Sequence, residues 1–105
     1  MVTKLTAVQR AELLPTLPGW TLVDGRDALQ RRFVFADFAQ AFAFMTEVAL
    51  HAQQLDHHPE WTNVWNRVDV VLTTHDAKGL SLRDVGLAAR IDAAAVRIGA
   101  RPEGK

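Results

Sequence analysis

The chain has 105 residues, 49% hydrophobic and 23% charged, which are the proportions of one globular domain over residues 1–105 and not of a disordered segment. The formal net charge is zero and no basic block occurs, so neither nucleic acid nor an anionic membrane is a predicted partner. There is no cysteine, which excludes disulfides and cysteine-based zinc sites, and no apolar signal core or membrane-span run, so a cytoplasmic protein is expected.

The first third of the chain predicts a short helix followed by a β-hairpin. Thr6 and Gln9 have the spacing of a capping box, and Pro15 ends the helix because the residue before a proline disfavours helical backbone angles. The side chains expected on the buried side of this helix are Val8, Leu13 and Leu14. Strand-forming residues then flank a turn. The predicted elements are a helix at 7–14 and strands at 20–23 and 29–35.

A long helix is predicted after this hairpin. Asp37 can cap its first turn, with Gln40 three residues later, and the helix should end near Gln54. Apolar residues recur along it at helical spacing. They are Phe38, Ala41, Phe42, Met45, Val48 and Ala49. Phe44 lies off this stripe, so we expect it to face a partner or a second layer.

The second half of the chain predicts a second hairpin and a last helix. Two strands are expected at residues 62–65 and 68–74, with Asn66 and Arg67 as the tight connection. Ser81 and Asp84 have the spacing of a helix start. The apolar stripe of that last helix is Leu87, Ile91, Ala94, Ala95 and Ile98. Residues 101–105 are expected to form a frayed tail.

The resulting element order is α-β-β-α-β-β-α. Two hairpins can merge into one four-stranded antiparallel sheet, and helices on one face of it give an α+β two-layer sandwich. The edge strands of such a sheet need protection from uncontrolled pairing. Pairing edge to edge with another subunit would provide that protection, so we expect an oligomer.

Three of the four histidines lie in one region of the sequence. His57 and His58 are adjacent, and His75 follows the second predicted hairpin, which could bring it back beside them. Pro59 favours an extended backbone at His58, so the two neighbouring rings should point in opposite directions. Histidine titrates nearest neutrality, so such a group could supply an acid, a base and an orienting donor to one substrate.

Other interpretations of these residues stay open. The three histidines could be solvated surface residues, or they could bind zinc, although no suitable fourth ligand is evident. His51 is expected at the surface or at its boundary, and Ser81 is interpreted as a helix cap because no base partner is identifiable. The tryptophans are expected in the core or at a pocket wall, and they are Trp20, Trp61 and Trp65.

Several short segments together resemble the pterin-4a-carbinolamine dehydratase family. They are Asp56-His57-His58-Pro59-Glu60-Trp61, Asn63-Val64-Trp65-Asn66, Thr74-His75, Gly79-Leu80-Ser81 and Arg83-Asp84. Leu13-Leu14-Pro15 and Gly19-Trp20 also fit the pattern. The resemblance covers nearly the whole chain, and the His-His-Pro-Glu-Trp core with a downstream histidine is highly specific in combination.

The resemblance implies the same α+β sandwich, in dimers or tetramers. It implies dehydration of a 4a-hydroxytetrahydropterin to the quinonoid dihydropterin, which recycles the cofactor of aromatic amino acid hydroxylases, without a metal or an organic cofactor. By resemblance, His57 and His75 are the acid/base residues and His58 binds and orients the pterin. The other residues that this resemblance places at the pterin site are Gln53, Asp56, Trp61, Arg83 and Asp84.

One position departs from the family pattern. Four residues before the first histidine the family commonly has a glutamate, and this chain has Gln53, which accepts a hydrogen bond but carries no charge. The alternative to an enzyme is therefore a non-catalytic, coactivator-like interaction module with a decayed site. Its contact surface would be the helix face around Phe44 or the alanine-rich last helix.

Overall fold

The computed structural model of the chain describes residues 2–102. Within that range the elements are α1 Ala7–Leu13, β1 Thr21–Leu22, β2 Leu29–Val34, α2 Phe38–Leu55, β3 Glu60–Val64, β4 Arg67–Leu72 and α3 Leu82–Ile98. Two 3-10 turns, Leu14–Thr16 and His75–Ala77, follow α1 and β4. The predicted element order and the α+β class are confirmed. None of the helices in the described range is long and apolar enough to cross a membrane.

The two hairpins merge into one four-stranded antiparallel sheet in the order β1-β2-β4-β3. The seam runs along β2 and β4, from Leu29 opposite Leu72 to Val34 opposite Arg67. Alternate side chains of β4 are buried, because one face of the sheet packs on the helices and the other faces solvent. The buried members are Val68, Val70 and Leu72.

The core lies between this sheet face and the helices α2 and α3. Phe44 of α2 is fully buried, and its ring centroid lies 4.9 Å from those of both Phe33 and Phe35. Of the two expectations for Phe44, a partner is therefore wrong, and a second layer is right because the ring packs on the sheet. Phe38 and Phe42, which were placed on the buried stripe, are instead 49% and 55% exposed. Because apolar residues cover a wide arc of α2, its periodicity did not identify which part of that arc packs.

The prediction for α1 is right in part. Leu13 and Leu14 pack against the core, but Val8 is 66% exposed. This short helix contacts the core at its C-terminal end, so its first turn stays in solvent. At the other end of the chain, the backbone N–H of Arg101 donates to the carbonyl of Val34 at 2.7 Å, so the expected fraying does not begin there. Residues 103–105 of that predicted tail lie outside the described residues.

The second hairpin turns one residue earlier than predicted. Val64 pairs with Arg67, so the connection is Trp65-Asn66, and β3 already begins at Glu60. Trp65 has a φ of 49°, a left-handed conformation that a tryptophan seldom adopts, so the prediction placed the turn one residue later, at Asn66 and Arg67. It is 64% exposed, so its predicted place in the core or a pocket wall is wrong.

The helix starts agree with their sequence patterns. Thr6 and Gln9 form the capping box of α1, and the Asp37 side chain accepts from the backbone N–H of Gln40 at 2.8 Å at the start of α2. At the start of α3, the side chain of Asp84 accepts from the backbone N–H of the N-cap residue. These caps satisfy backbone N–H groups that have no partner inside the helix, and so they fix where each helix begins.

Candidate active site

Three histidines converge from two loops at one end of the sheet. Helix α2 ends at Leu55, and the left-handed backbone of the next residue, Asp56, with φ of 50°, turns the chain towards β3. His57 and His58 occupy the short segment before β3. Because Glu60 pairs with Val71, the residues before β3 lie beside those that follow β4, where His75 begins the second 3-10 turn.

All three histidines line one cavity of about 300 Å³. That volume is at the lower end of the range of small-molecule sites. The cavity is lined by Asp56, His57, His58, Thr73, Thr74, His75, Asp76 and Arg83. Thr73, Thr74 and Asp76 were not among the site residues expected from sequence. The placement of Thr73 and Thr74 directly after β4, beside His75, is the pattern that could have indicated them.

His57 is the buried member of the group. Its side chain is 8% exposed, and Nε2 lies 2.6 Å from Oδ1 of Asp84. The Asp84 carboxylate is fully buried, and its other oxygen, Oδ2, accepts from the Thr74 hydroxyl at 2.7 Å and from the Ser81 backbone N–H at 3.0 Å. With a carboxylate at Nε2, that nitrogen of His57 carries the hydrogen. Nδ1 is then the nitrogen left for a ligand.

Asp84 was expected at the pocket edge, and the structure instead buries it behind His57. The physical reason is its place in the first turn of α3, where the capping box points the carboxylate back over the start of the helix. Ser81 is the N-cap residue, as predicted. Since the Thr74 hydroxyl donates to Asp84, the Ser81 hydroxyl, 2.6 Å away, donates to Thr74.

His58 and His75 are exposed to solvent. His58 Nε2 lies 3.4 Å from the Gln53 side-chain oxygen, so Gln53 borders the site through His58 and does not line the cavity. His75 is 82% exposed, with Nε2 3.6 Å from Oε2 of Glu60. Arg26 holds the same carboxylate with two hydrogen bonds of 3.0 and 2.9 Å.

The pKa of Glu60 is lowered by these neighbours. The Arg26 hydrogen bond is the largest cause, burial opposes it, and the charges of Arg26 and His75 add to the lowering. Glu60 and Arg26 were not identified as site residues from sequence. The position of Glu60 within the histidine-rich segment could have indicated it. Arg26 lies 34 residues away, and nothing in the sequence connected it to this segment.

One expected site residue, Trp61, lies elsewhere. Trp61 is half-buried against the hydrophobic core and does not line the histidine cavity, because strand alternation turns its side chain to the helix-covered face. His51 is half-buried on α2, outside the cavity, near Glu47 and Arg90. Trp20 lies in the core, where its Nε1–H donates to Asp92 at 2.9 Å.

The zinc alternative gains no support from the geometry. Among residues 2–102, no three histidine, aspartate or glutamate side chains are grouped so that they could hold a metal ion. A larger cavity, of about 380 Å³, lies around Gln30, Arg32 and Val71 on the solvent face of the sheet and is lined by no histidine. The histidine cavity is therefore the candidate active site.

The sequence profile of one family, described as pterin 4 alpha carbinolamine dehydratase, matches residues 3–94. The chain belongs to this family. A Rhizorhabdus wittichii protein provisionally named as a pterin-4-alpha-carbinolamine dehydratase is 63% identical over 91 residues, 87% of this chain and 94% of that protein. A Burkholderia cenocepacia protein with the same provisional name is 61% identical over 95 residues, covering 90% and 93% of the two chains.

Two solved structures are similar to this member of the family. A Brucella melitensis protein described as a transcriptional coactivator/pterin dehydratase has a TM-score of 0.84 and 48% identity, over 89% of this chain and 99% of that one. A pterin dehydratase-like protein described as a RuBisCO assembly factor of the alpha-carboxysome has a TM-score of 0.65 and 27% identity, over 73% and 89%. The family resemblance inferred from the sequence is thereby confirmed.

Proposed function

We propose that this chain removes water from a 4a-hydroxytetrahydropterin, giving the quinonoid dihydropterin, with histidines as acid and base. The observation that carries the proposal is the histidine cavity, in which His57, His58 and His75 meet and His57 is held by a buried carboxylate. Family membership and the names of the relatives support the pterin substrate. The reaction is a dehydration without net electron transfer, so acid and base groups suffice for it.

The two environments suggest different tasks for His57 and His75. His57, with Asp84 at Nε2, offers the Nδ1 lone pair as a base for the proton on the pterin ring nitrogen, and the carboxylate stabilises the imidazolium that forms. His75, exposed at the cavity mouth, donates a proton to the departing 4a-hydroxyl group. The C4a–O bond breaks, water leaves, and the ring nitrogen contributes the electron pair of the new double bond.

Binding of the pterin is assigned to the remaining polar groups of the cavity. His58, with Gln53 beside it, orients the pterin, and Arg83 and Asp56 offer a hydrogen-bond donor and an acceptor to the edges of its ring. The product would return to the tetrahydro form for use by an aromatic amino acid hydroxylase. We place the activity in the cytoplasm.

The decisive test follows the loss of synthetic 4a-hydroxytetrahydropterin by absorbance. The protein should accelerate the reaction beyond its spontaneous rate, and a rate equal to the spontaneous one would overturn the proposal. His75→Ala should lower kcat by about 10²–10⁴, the usual contribution of one acid or base. Its circular dichroism should not change, because the His75 side chain is 82% exposed. His51→Ala, outside the cavity, is the matched control and should keep full activity.

A second candidate function is an interaction module. It is favoured by exposed apolar side chains on α2, which are Phe38, Phe42 and Leu50, and by the coactivator description of the Brucella melitensis structure. The contact expected around Phe44 is ruled out because that ring is buried. Co-purification of a specific protein, lost in Phe42→Ser, together with no dehydratase activity would favour this function over catalysis.

A further inference from the structure

The His75 ring can take more orientations than its proposed role in proton transfer permits. Its ring is 82% exposed and is carried on a three-residue 3-10 turn. It lines the histidine cavity, and it also lines a second cavity, of about 340 Å³, together with Arg26 and Lys78. The ring therefore has room on two sides. Proton transfer needs the donor within hydrogen-bond reach of the reacting atom, so an unrestrained ring would spend time in unproductive orientations.

Glu60 is placed to restrict that ring. It is the first residue of β3, and its Oε2 lies 3.6 Å from His75 Nε2. This separation is longer than a hydrogen bond, so in the unliganded protein Glu60 acts on His75 through its charge. Catalytic contacts are often long without substrate and tighten when it binds. Both proposed proton-transfer histidines thus have a carboxylate at Nε2, because Asp84 lies 2.6 Å from His57.

Glu60 is itself held in place by Arg26. The guanidinium lies in the turn between β1 and β2 and donates to both carboxylate oxygens, at 3.0 and 2.9 Å. This two-point geometry fixes the plane of the carboxylate, which a single contact would not do. The lowered pKa of Glu60 keeps it ionised at neutral pH. Three segments of the chain, the β1–β2 turn, the start of β3 and the second 3-10 turn, are joined in this way.

We propose that Glu60, oriented by Arg26, is a positioning residue that directs His75 towards the substrate. This inference rests on the proposed dehydratase function. An exposed arginine–carboxylate pair contributes little to folding stability, so its effect on activity can be measured without loss of the fold. A structural role alone would not depend on the presence of the His75 ring.

The test compares kcat and KM for wild type, Glu60→Gln and Arg26→Gln. Each variant should lower kcat by roughly twofold to fivefold, the scale of one exposed ion pair, while KM stays nearly constant because pterin binding is assigned to other groups. Asp69→Asn is the matched control. Its carboxylate is exposed and held by Arg32 at 2.7 Å on the solvent face of the same sheet, so its loss should leave kcat unchanged.

The deciding measurement repeats Glu60→Gln in the His75→Ala background. If Glu60 acts through His75, the residual activity should not fall further. An equal fall in both backgrounds, or an unchanged kcat in Glu60→Gln alone, would overturn the inference while the wild-type assay still supports the dehydratase function. A wild-type rate equal to the spontaneous one would overturn both.

Discussion

At the scale of single residues, the site depends on which side chains contact the histidine rings. Asp84 has no exposed surface and bonds to His57, Thr74 and Ser81, so it cannot touch a substrate directly. Any effect of Asp84 on the proposed reaction must therefore pass through the orientation and protonation of His57. Gln53 contacts His58 in a similar way, but it lies at the exposed end of α2 and its side chain carries no charge.

Asp84→Asn should lower both activity and stability. The amide cannot accept all the hydrogen bonds that the carboxylate accepts, and one of its ends presents N–H donors to groups that donate. We expect kcat to fall at least tenfold and the free energy of unfolding to fall by about 1–3 kcal/mol, the cost of disturbing a buried polar network. Steady-state kinetics and urea unfolding measure the two effects.

Asp92→Asn is the control that separates the loss of activity from the loss of stability. Asp92 is also on α3 and partly buried, with Trp20 Nε1 at 2.9 Å and Arg31 at 3.0 Å, but it is remote from the histidine cavity. It should lose stability and keep kcat. A kcat in Asp84→Asn that equals that of Asp92→Asn would show that Asp84 serves the fold alone.

Gln53→Glu should raise kcat/KM by a few fold. The substitution restores the carboxylate that the family commonly has, and a charge 3.4 Å from His58 Nε2 would strengthen its hold on that ring. A negative charge in the last turn of α2 opposes the helix dipole, so the free energy of unfolding should fall by about 0.3–1 kcal/mol.

Gln54→Glu is the neighbouring control for that substitution. Gln54 is exposed in the same last turn and does not line the cavity, so it carries the dipole cost without the gain in activity. A kcat/KM of Gln53→Glu no higher than that of Gln54→Glu would mean that Gln53 does not limit the enzyme.

At the scale of elements, α2 has two adjacent rows of apolar side chains, and only one of them is buried. Its buried residues are Ala41, Phe44, Val48 and Ala52. Two alanines in this row let the helix approach the sheet closely, and Phe44 fills the space between Phe33 and Phe35. The row beside it, with Phe38 and Phe42, has aromatic rings 5.8 Å apart but remains exposed.

Phe44→Ala and Phe42→Ala should therefore differ strongly. Removing the buried Phe44 ring should lower the free energy of unfolding by about 3–5 kcal/mol, since it loses apolar burial and leaves a cavity. Removing the exposed Phe42 ring should change it by about 0.5 kcal/mol or less. Urea unfolding of both variants measures the difference, and similar losses would show that the packed face of α2 has been wrongly identified.

The link between the β1–β2 turn and β3 should depend on pH. The folded-state pKa of Glu60 is lowered below 4.5, first by the Arg26 hydrogen bond. A carboxylate whose pKa is lower in the folded state stabilises the folded protein at every pH above its unfolded-state pKa. This stabilisation is lost as the pH falls through the folded-state pKa. Wild type should thus be more stable to urea than Glu60→Gln at pH 7, and the difference should vanish in strong acid. A difference that grows in acid would contradict this sign.

At the scale of the whole molecule, one face of the sheet is covered by helices and the other is open to solvent. β3 is an edge strand of five residues, next to β4, and its outer edge has no neighbour in the described chain. Such an edge is a template for pairing with another chain. The prediction of a homodimer or homotetramer formed edge to edge therefore has a specific strand on which it can be tested.

Light scattering should give two or four times the chain mass of 11.7 kDa. Phe42→Lys, on the exposed row of α2, should leave that mass unchanged if the subunits pair through β3. A monomeric wild type would contradict the prediction of an oligomer. An oligomer that Phe42→Lys dissociates would place the contact on the helix instead.

The order of elements, the helix caps and the histidine cluster could be predicted from sequence because each depends on residues close together in the chain. A capping box joins residues three apart, and a strand or helix pattern repeats within a few positions. The family resemblance used the same kind of local information, from short segments around His57 and His75. Element ends were less certain, as the early turn at Trp65 shows.

Only the tertiary structure decided which face of α2 packs and which side chain contacts each histidine. Asp84 reaches His57 across 27 residues of sequence, and Arg26 reaches Glu60 across 34. The first contact joins the end of α2 to the start of α3, the second joins the β1–β2 turn to the start of β3, and no local pattern specifies either. Sequence therefore determined which groups are proposed to carry the chemistry, whereas packing determined which carboxylate faces each proposed proton-transfer histidine.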